Sequence, residues 1–155
     1  MLMDRLHRLL PAAWAGALLC VGFIATPAPF ATLATADAGR VVARILAQEA
    51  WLSLVLGVWL LLAERRRARD AAGAGQGSVL STDMLLLLGT VFCTVSGYFA
   101  IQPMLPAARA GQGAFTFGQL HLASAAMFVV KGLLVLVLAW RSTAPRSGIS
   151  PGPSS

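Results

Sequence analysis

Four long apolar stretches dominate this sequence and limit what it can fold into. They lie at about residues 9–30, 41–63, 79–101 and 118–140. Each matches the roughly 20 apolar residues that an α-helix needs to cross a hydrocarbon core of about 30 Å. A backbone in hydrocarbon must satisfy its own hydrogen bonds, so each stretch is predicted to be helical. The expected fold is all-α, a four-transmembrane-helix bundle.

The composition agrees with a membrane domain. The chain is 57% hydrophobic and 12% charged, whereas soluble domains are about 25% charged. Residues 1–141 are therefore predicted to form one four-helix membrane domain. Residues 142–155 are rich in Pro, Gly and Ser, which predicts a disordered cytoplasmic tail.

The net charge of +6 would suggest nucleic-acid binding in a soluble domain. Here the arginines stand in the connections between apolar stretches, where anionic lipid headgroups explain them better. We therefore expect the lipid bilayer as the partner and no nucleic acid.

The arginines are unequally divided between the two ends of the predicted bundle, and cytoplasmic connections carry an excess of Lys and Arg. One end would carry eight: Arg5, Arg8, Arg65, Arg66, Arg67, Arg69, Arg141 and Arg146. The other would carry three, Arg40, Arg44 and Arg109. Both termini are thus predicted to be cytoplasmic. The preference for Arg over Lys and the high Ala content are typical of GC-rich bacterial genomes, so a bacterial inner membrane is expected.

An alternative for the first stretch is a cleaved signal peptide, with Ala34-Thr35-Ala36 as the cleavage motif. Its apolar run of about 22 residues is longer than the usual 7–15 of such peptides. A membrane helix is therefore the favoured interpretation.

Two ionisable residues fall inside the predicted spans. Lys131 lies near the middle of the fourth stretch and Glu49 in the outer half of the second. Charges in hydrocarbon are costly and are functional-site candidates. The two residues differ in depth by about 7–8 Å at 1.5 Å per residue, so they are within reach of each other. A structural pair, snorkelling of Lys131, and a transport or relay role all stay open.

Polar and small residues share one side of the third and fourth stretches. At 100° per residue, one side of the fourth stretch carries His121, Ser124, Ala125, Lys131 and Gly132. The third groups Asp83, Thr90, Thr94 and Gly97. These sides are predicted to face inward, for packing or for a ligand. Asp83, which follows Ser81 and Thr82, is expected to cap a helix start.

A third set of candidates lies at or beyond the outer helix ends, with Arg44 close by: Pro27, Pro29, Asp37, Gly39, Arg40, Gln102, Pro103, Arg109 and His121. Asp37 or Glu49 would be the acidic partners of Arg40 and Arg44. Such a cluster is either a structural lid that fixes the helix ends or an entrance for a small ligand or ion.

Metal and haem sites have little support. The only two histidines, His7 and His121, are predicted at opposite ends, which excludes an intramolecular haem pair. Cys20 and Cys93 lack a Cys-x-x-Cys motif and are expected to pack as small apolar residues. No metal ligand and no cofactor is therefore assigned.

Several strings resemble the transmembrane protein 205-like family, also called domain of unknown function 4149. The matching residues are Phe23, Pro27, Phe30, Ala38, Gly39, Arg40, Pro103, Met104, Phe117, Leu120 and His121. The resemblance implies a four-span membrane protein and brings no established catalytic activity. In similar proteins an amide tends to stand where this chain has Lys131, so the role of Lys131 does not come from the family.

The leading functional interpretation is a non-enzymatic structural or accessory membrane component, alone as a homo-oligomer or with another membrane protein. The alternative is a small transporter, channel or proton- or ion-coupled subunit that uses Lys131 and Glu49. A metal- or haem-associated membrane protein is the second alternative.

Overall fold

The computed structural model describes residues 2–75 and 80–143, and the side chains within that part from Arg8 onward. The described residues form helices that are joined by short non-helical segments, and they contain no strand. The elements, in order, are α1 (Leu2–Cys20), a π-helical turn (Val21–Ala25), α2 (Ala28–Thr32), α3 (Thr35–Gly73), α4 (Thr82–Thr94), a second π-helical turn (Val95–Ala100), a 3₁₀ turn (Gln102–Met104), α5 (Leu105–Arg109) and α6 (Phe117–Thr143).

Four helical stretches in this part of the chain are long and apolar enough to cross a membrane. They are Arg8–Thr32, Thr35–Gly73, Thr82–Arg109 and Phe117–Thr143. The prediction of an all-α fold with four spans is thus confirmed, by length and composition.

The helix bounds differ from the predicted ones, most of all in α3. It runs over Thr35–Gly73, 39 residues, where 41–63 was expected. Much of the predicted connections 34–40 and 64–77 is therefore helical, because Ala, Arg and Glu are strong helix formers. At 1.5 Å per residue α3 is about 58 Å long. Its length exceeds the roughly 40–45 Å of a whole bilayer.

The remaining bounds need smaller corrections. The first span breaks at Pro27, which has no N–H to donate, and resumes as α2. The fourth span is α6, which begins at Phe117 and ends at Thr143. Ser142 and Thr143 are therefore helical and not part of a tail. The predicted disordered tail otherwise falls on residues 144–155, which lie outside the described residues.

Side-chain bonds gather four helix ends at one side of the bundle. Arg141 Nε donates to Asp83 Oδ1 at 2.6 Å, and Ser142 Oγ donates to the Arg8 carbonyl at 3.2 Å. Ser81 Oγ donates to Glu64 Oε1 at 2.7 Å. We call this side the basic end: the start of α1, α3 from Glu64 onward, the start of α4 and the end of α6.

The expectation that Asp83 caps α4 is wrong. The cap is Ser81, whose hydroxyl accepts from the Met84 N–H at 3.1 Å. Asp83 instead forms the ion pair with Arg141 and so ties α4 to α6. Ser is as good an N-cap as Asp, which leaves the carboxylate free for the interhelical pair.

The opposite side, which we call the His121 end, comprises α2, the start of α3, α5 and the start of α6. It contains α5 packed on α6 and α2 packed on α3. A Cβ on Gly39 of α3 would lie 4.0 Å from Arg109 Nη2 of α5. The fold therefore separates the two sets of connections as the four-span prediction requires.

Between the two ends, α6 packs against α1 and α4, and α3 packs against α4. Their buried apolar side chains form one core: Trp14, Ala15, Leu18, Leu60, Leu87, Val135, Leu138 and Ala139. Two glycines allow the closest approaches. A Cβ at Gly57 would lie 2.9 Å from Val91 Cγ2, and one at Gly97 would lie 2.8 Å from Met127 Cβ. Both distances are shorter than ordinary contacts, so at these positions small residues serve close packing.

Replacing Gly57 with Leu is expected to separate α3 from α4, because the new side chain would overlap Val91. Overpacking of this kind lowers the free energy of unfolding by about 1–3 kcal/mol or more. The control is Gly16→Leu, because a Cβ on Gly16 meets no atom within 4 Å. Reversible unfolding in detergent measures both, and equal stability of the two variants would contradict the packing described here.

Candidate functional site

The two charges predicted inside the membrane meet in the structure. Lys131 Nζ of α6 donates to both carboxylate oxygens of Glu49 in α3, each at 2.7 Å. The side chains are 4% and 7% exposed, so both charged groups are removed from the lipid. In the apolar interior of the bundle an isolated charge is very costly, and each member of this ion pair neutralises the charge of the other.

The pair extends into a hydrogen-bonded chain across three helices. Ser53 Oγ donates to Glu49 Oε1, and Trp14 Nε1 of α1 donates to Ser53 Oγ at 3.0 Å. Glu49 and Ser53 are four residues apart, so they lie on one face of α3. The chain Lys131–Glu49–Ser53–Trp14 therefore connects α6, α3 and α1.

Trp14 and Ser53 were absent from the sequence candidates. The i, i+4 spacing from Glu49 could have identified Ser53. Nothing in the sequence marks Trp14, because its partner lies 39 positions away. Lys131 has one further neighbour that spacing could have found, Phe128, whose ring centre is 4.9 Å from Nζ. That distance is within the range of cation–π attraction.

The two buried hydroxyls of α4 bond within their own helix. Thr90 and Thr94 are buried, but Thr90 Oγ1 donates to the Leu86 carbonyl at 2.8 Å. Thr94 Oγ1 donates to the Thr90 carbonyl at 2.9 Å. Both bonds stay within α4, because a helical carbonyl four residues back is always in reach.

A cavity of about 580 Å³ lies beside the ion pair. Its lining comes from all four spans: Ala15, Leu18, Leu19, Gly22, Phe23, Thr26, Leu46, Glu49, Cys93, Thr94, Gly97, Tyr98, Gln102, His121, Ser124, Ala125, Phe128, Val129, Lys131, Gly132, Leu133 and Leu136. The five residues predicted to share the polar side of the fourth helix all line it. Most of the other lining residues are apolar.

Both π-helical turns border this cavity. The first is marked by the bond from Thr26 N to Val21 O at 2.9 Å, the second by the bond from Ile101 N to Ser96 O at 3.2 Å. Such turns are rare and often occur at functional sites. Here residues of both turns line the cavity: Gly22 and Phe23 of the first, Gly97 and Tyr98 of the second.

At the His121 end, an aromatic ring joins two of the polar residues. The Phe117 ring stacks on the His121 imidazole with 5.7 Å between centroids. The Arg109 guanidinium lies 4.6 Å from the centre of the same ring. His121, which lines the cavity, and Arg109, which does not, therefore both contact the Phe117 ring.

The other predicted outer residues are more scattered. Arg40 pairs with Asp37 one turn earlier on the exposed surface of α3. Arg44 and Pro103 are exposed. Of the two acidic partners expected for the outer arginines, Asp37 pairs with Arg40, whereas the Glu49 carboxylate binds Lys131 instead. The structure thus brings Glu49 and Lys131 together and leaves the outer arginines in separate places.

No group of three or more His, Cys, Asp and Glu side chains comes together within the described residues. Cys20 is exposed and Cys93 is buried. His121 begins α6 at one end, whereas His7 belongs to the first turns of α1 at the basic end. The helices therefore keep the two histidines at opposite ends.

Replacing Ser53 with Ala is expected to lower the free energy of unfolding by about 1–3 kcal/mol, the cost of leaving buried polar groups unpaired. Both the Trp14 N–H and the Glu49 carboxylate would lose a partner. The matched control is Ser124→Ala, whose hydroxyl only donates to the His121 carbonyl of its own helix, and which should change stability by less than about 0.5 kcal/mol. Indistinguishable unfolding curves for the two variants would contradict the connecting role of Ser53.

Comparison with known proteins gives one match. A family model described as a domain of unknown function (DUF4149) matches residues 9–114, which include Trp14, Glu49 and Ser53 but end before α6 and Lys131. No curated protein and no solved structure matches the chain. The resemblance seen in the sequence is supported for that domain, whereas the name transmembrane protein 205-like rests on the resemblance alone. Because the match covers more than half of its length, the chain belongs to the DUF4149 family.

Proposed function

We propose that the protein is a non-enzymatic, multi-pass structural or accessory component of a bacterial inner membrane. The observation that carries this proposal is the use made of the two intramembrane charges. Lys131 and Glu49 bind each other, and Ser53 and Trp14 complete the network. Charges that are fully engaged in linking three helices serve the architecture of the bundle.

The energetics support this structural role. Breaking a buried ion pair by removing one partner costs about 3–5 kcal/mol, whereas replacing both partners with apolar residues of similar size is often neutral. For a structural ion pair we therefore expect a large loss in the free energy of unfolding when either residue is replaced alone. The loss should be small when both are replaced together.

The proposed orientation places the basic end in the cytoplasm. Arg65, Arg66 and Arg69 are exposed on the part of α3 that follows Glu64. Because α3 is longer than the bilayer is thick, these turns extend into the headgroup region or beyond it. Exposed arginines at that level favour the cytoplasmic side. Another membrane protein or a second copy of the chain is the partner we propose for the apolar outer surface.

Glu49→Leu and Lys131→Met are each expected to lower the free energy of unfolding by about 3–5 kcal/mol. The double variant should recover most of that loss, because no unpaired charge is left. The measurement is reversible unfolding of the purified variants in mixed micelles. Single variants as stable as the parent, or a double variant at least as unstable as the sum of the singles, would contradict a structural pair.

The second candidate function is transport, favoured by one observation: both members of the pair line the cavity. The double variant separates the two functions. In proteoliposomes it should leave proton and ion flux at the level of the parent protein if the pair is structural. Measurable flux through the parent that disappears in the stable double variant would instead establish the transport function.

A further inference from the structure

We propose that the cavity holds one acyl chain of an anionic phospholipid, drawn from the leaflet at the His121 end, with its phosphate beside His121 and Arg109. The proposal rests on the membrane placement given above. It is independent of which side is cytoplasmic and of the role of the ion pair.

The cavity opens sideways, toward what is hydrocarbon in a membrane. α1 packs along α6, but the backbone of the turn Val21–Ala25 that continues it lies closer to α3. The Phe128 side chain of α6 still reaches this turn, 3.3 Å from a Cβ placed on Gly22. The first span therefore diverges from α6 beyond Cys20. Phe23 on one side of this divergence and Leu133 on the other both line the cavity and are 78% and 57% exposed. An opening between such residues admits an acyl chain in preference to water.

The dimensions fit a chain from one leaflet. Lys131 lies ten residues along α6 from His121, which corresponds to about 15 Å. Half of a hydrocarbon core is also about 15 Å thick. A phosphate at the level of His121 would thus place the chain alongside Ser124, Ala125 and Phe128 and its far end near Lys131, all of which line the cavity. The volume of about 580 Å³ is within the usual 300–1,000 Å³ of sites that enclose small ligands.

The charge at the mouth selects an anionic headgroup. Between residues 26 and 48 and between 102 and 121, the sequence has three arginines (Arg40, Arg44 and Arg109) and one carboxylate, Asp37. Arg40 is already paired with Asp37. Arg109 lies over the Phe117 ring, which also stacks on His121. A guanidinium matches phosphate oxygens well, and basic side chains at this level attract anionic lipids.

A phospholipid is preferred over a free fatty acid because the cavity is open along its side. One chain can enter while the second stays in the surrounding bilayer, and the glycerol phosphate remains at headgroup level. The bilayer supplies such a molecule at high concentration without a separate delivery step.

Native mass spectrometry of the full-length protein in mild detergent tests the proposal, with added phosphatidylglycerol or phosphatidylcholine of identical acyl chains. We expect one phosphatidylglycerol to be retained in preference to phosphatidylcholine. Ala125→Phe, which fills the cavity, should abolish the retained lipid. The matched control is Ala126→Phe on the adjacent exposed position outside the cavity lining, which should retain the lipid.

Arg109→Gln should lower the preference for phosphatidylglycerol about fivefold, as expected for one basic side chain near anionic lipid. Arg65→Gln at the basic end should not change it.

Equal retention of the two lipids, or the same lipid loss in both alanine variants, would overturn the proposal. If oleate binds one to one and phosphatidylglycerol does not bind, the cavity is a site for a free fatty acid, and this result would also overturn the proposal. Should Ala125→Phe fail to fold, the lipid preference of the parent protein and of Arg109→Gln still decides. A parent protein of normal stability that retains neither lipid preferentially would overturn this proposal and leave the proposed structural function intact, so the two failures are distinguishable.

Discussion

The bundle depends on the requirement that a charge placed in hydrocarbon must find an opposite charge. Lys131 and Glu49 come from helices that are not neighbours in sequence, and their contact fixes the depth of α6 against α3. Ser53 and Trp14 then bring α1 into the same register. Apolar packing alone is weakly directional in lipid, because lipid tails are as apolar as the side chains. The polar chain supplies the missing specificity.

The ion pair also divides the molecule into two unlike halves. Toward the basic end, Leu60, Leu87 and Val135 close a dense core. Toward the His121 end, the first span leaves α6 at its π-helical turn and the cavity opens. Gly97 keeps the second π-helical turn tightly against α6 on the other side. The half toward the basic end is thus closely packed, and the half toward the His121 end contains a cavity that opens toward the membrane.

Much of this arrangement follows from the sequence, because the requirements of hydrocarbon are simple. The number of spans, their helical character and the nearness of Lys131 to Glu49 could be predicted from length, hydropathy and rise per residue alone.

The full extent of α3 was missed, since an apolar window ends where Arg and Glu continue the helix. Trp14 was missed because its bond to Ser53 depends on tertiary packing. The role of Asp83 was misassigned because Ser81 competes for the cap. The cavity was unpredictable, because it arises where two spans diverge.

Exchanging the two charges tests the central claim most directly. Glu49→Lys and Lys131→Glu each place two like charges at one buried point, so each variant should fail to accumulate as folded protein in the membrane. Combining them restores an opposite pair at the same depth, and folded protein should reappear, as measured by detergent-extracted monodisperse yield and unfolding midpoint. Single variants that accumulate and unfold like the parent would contradict the account.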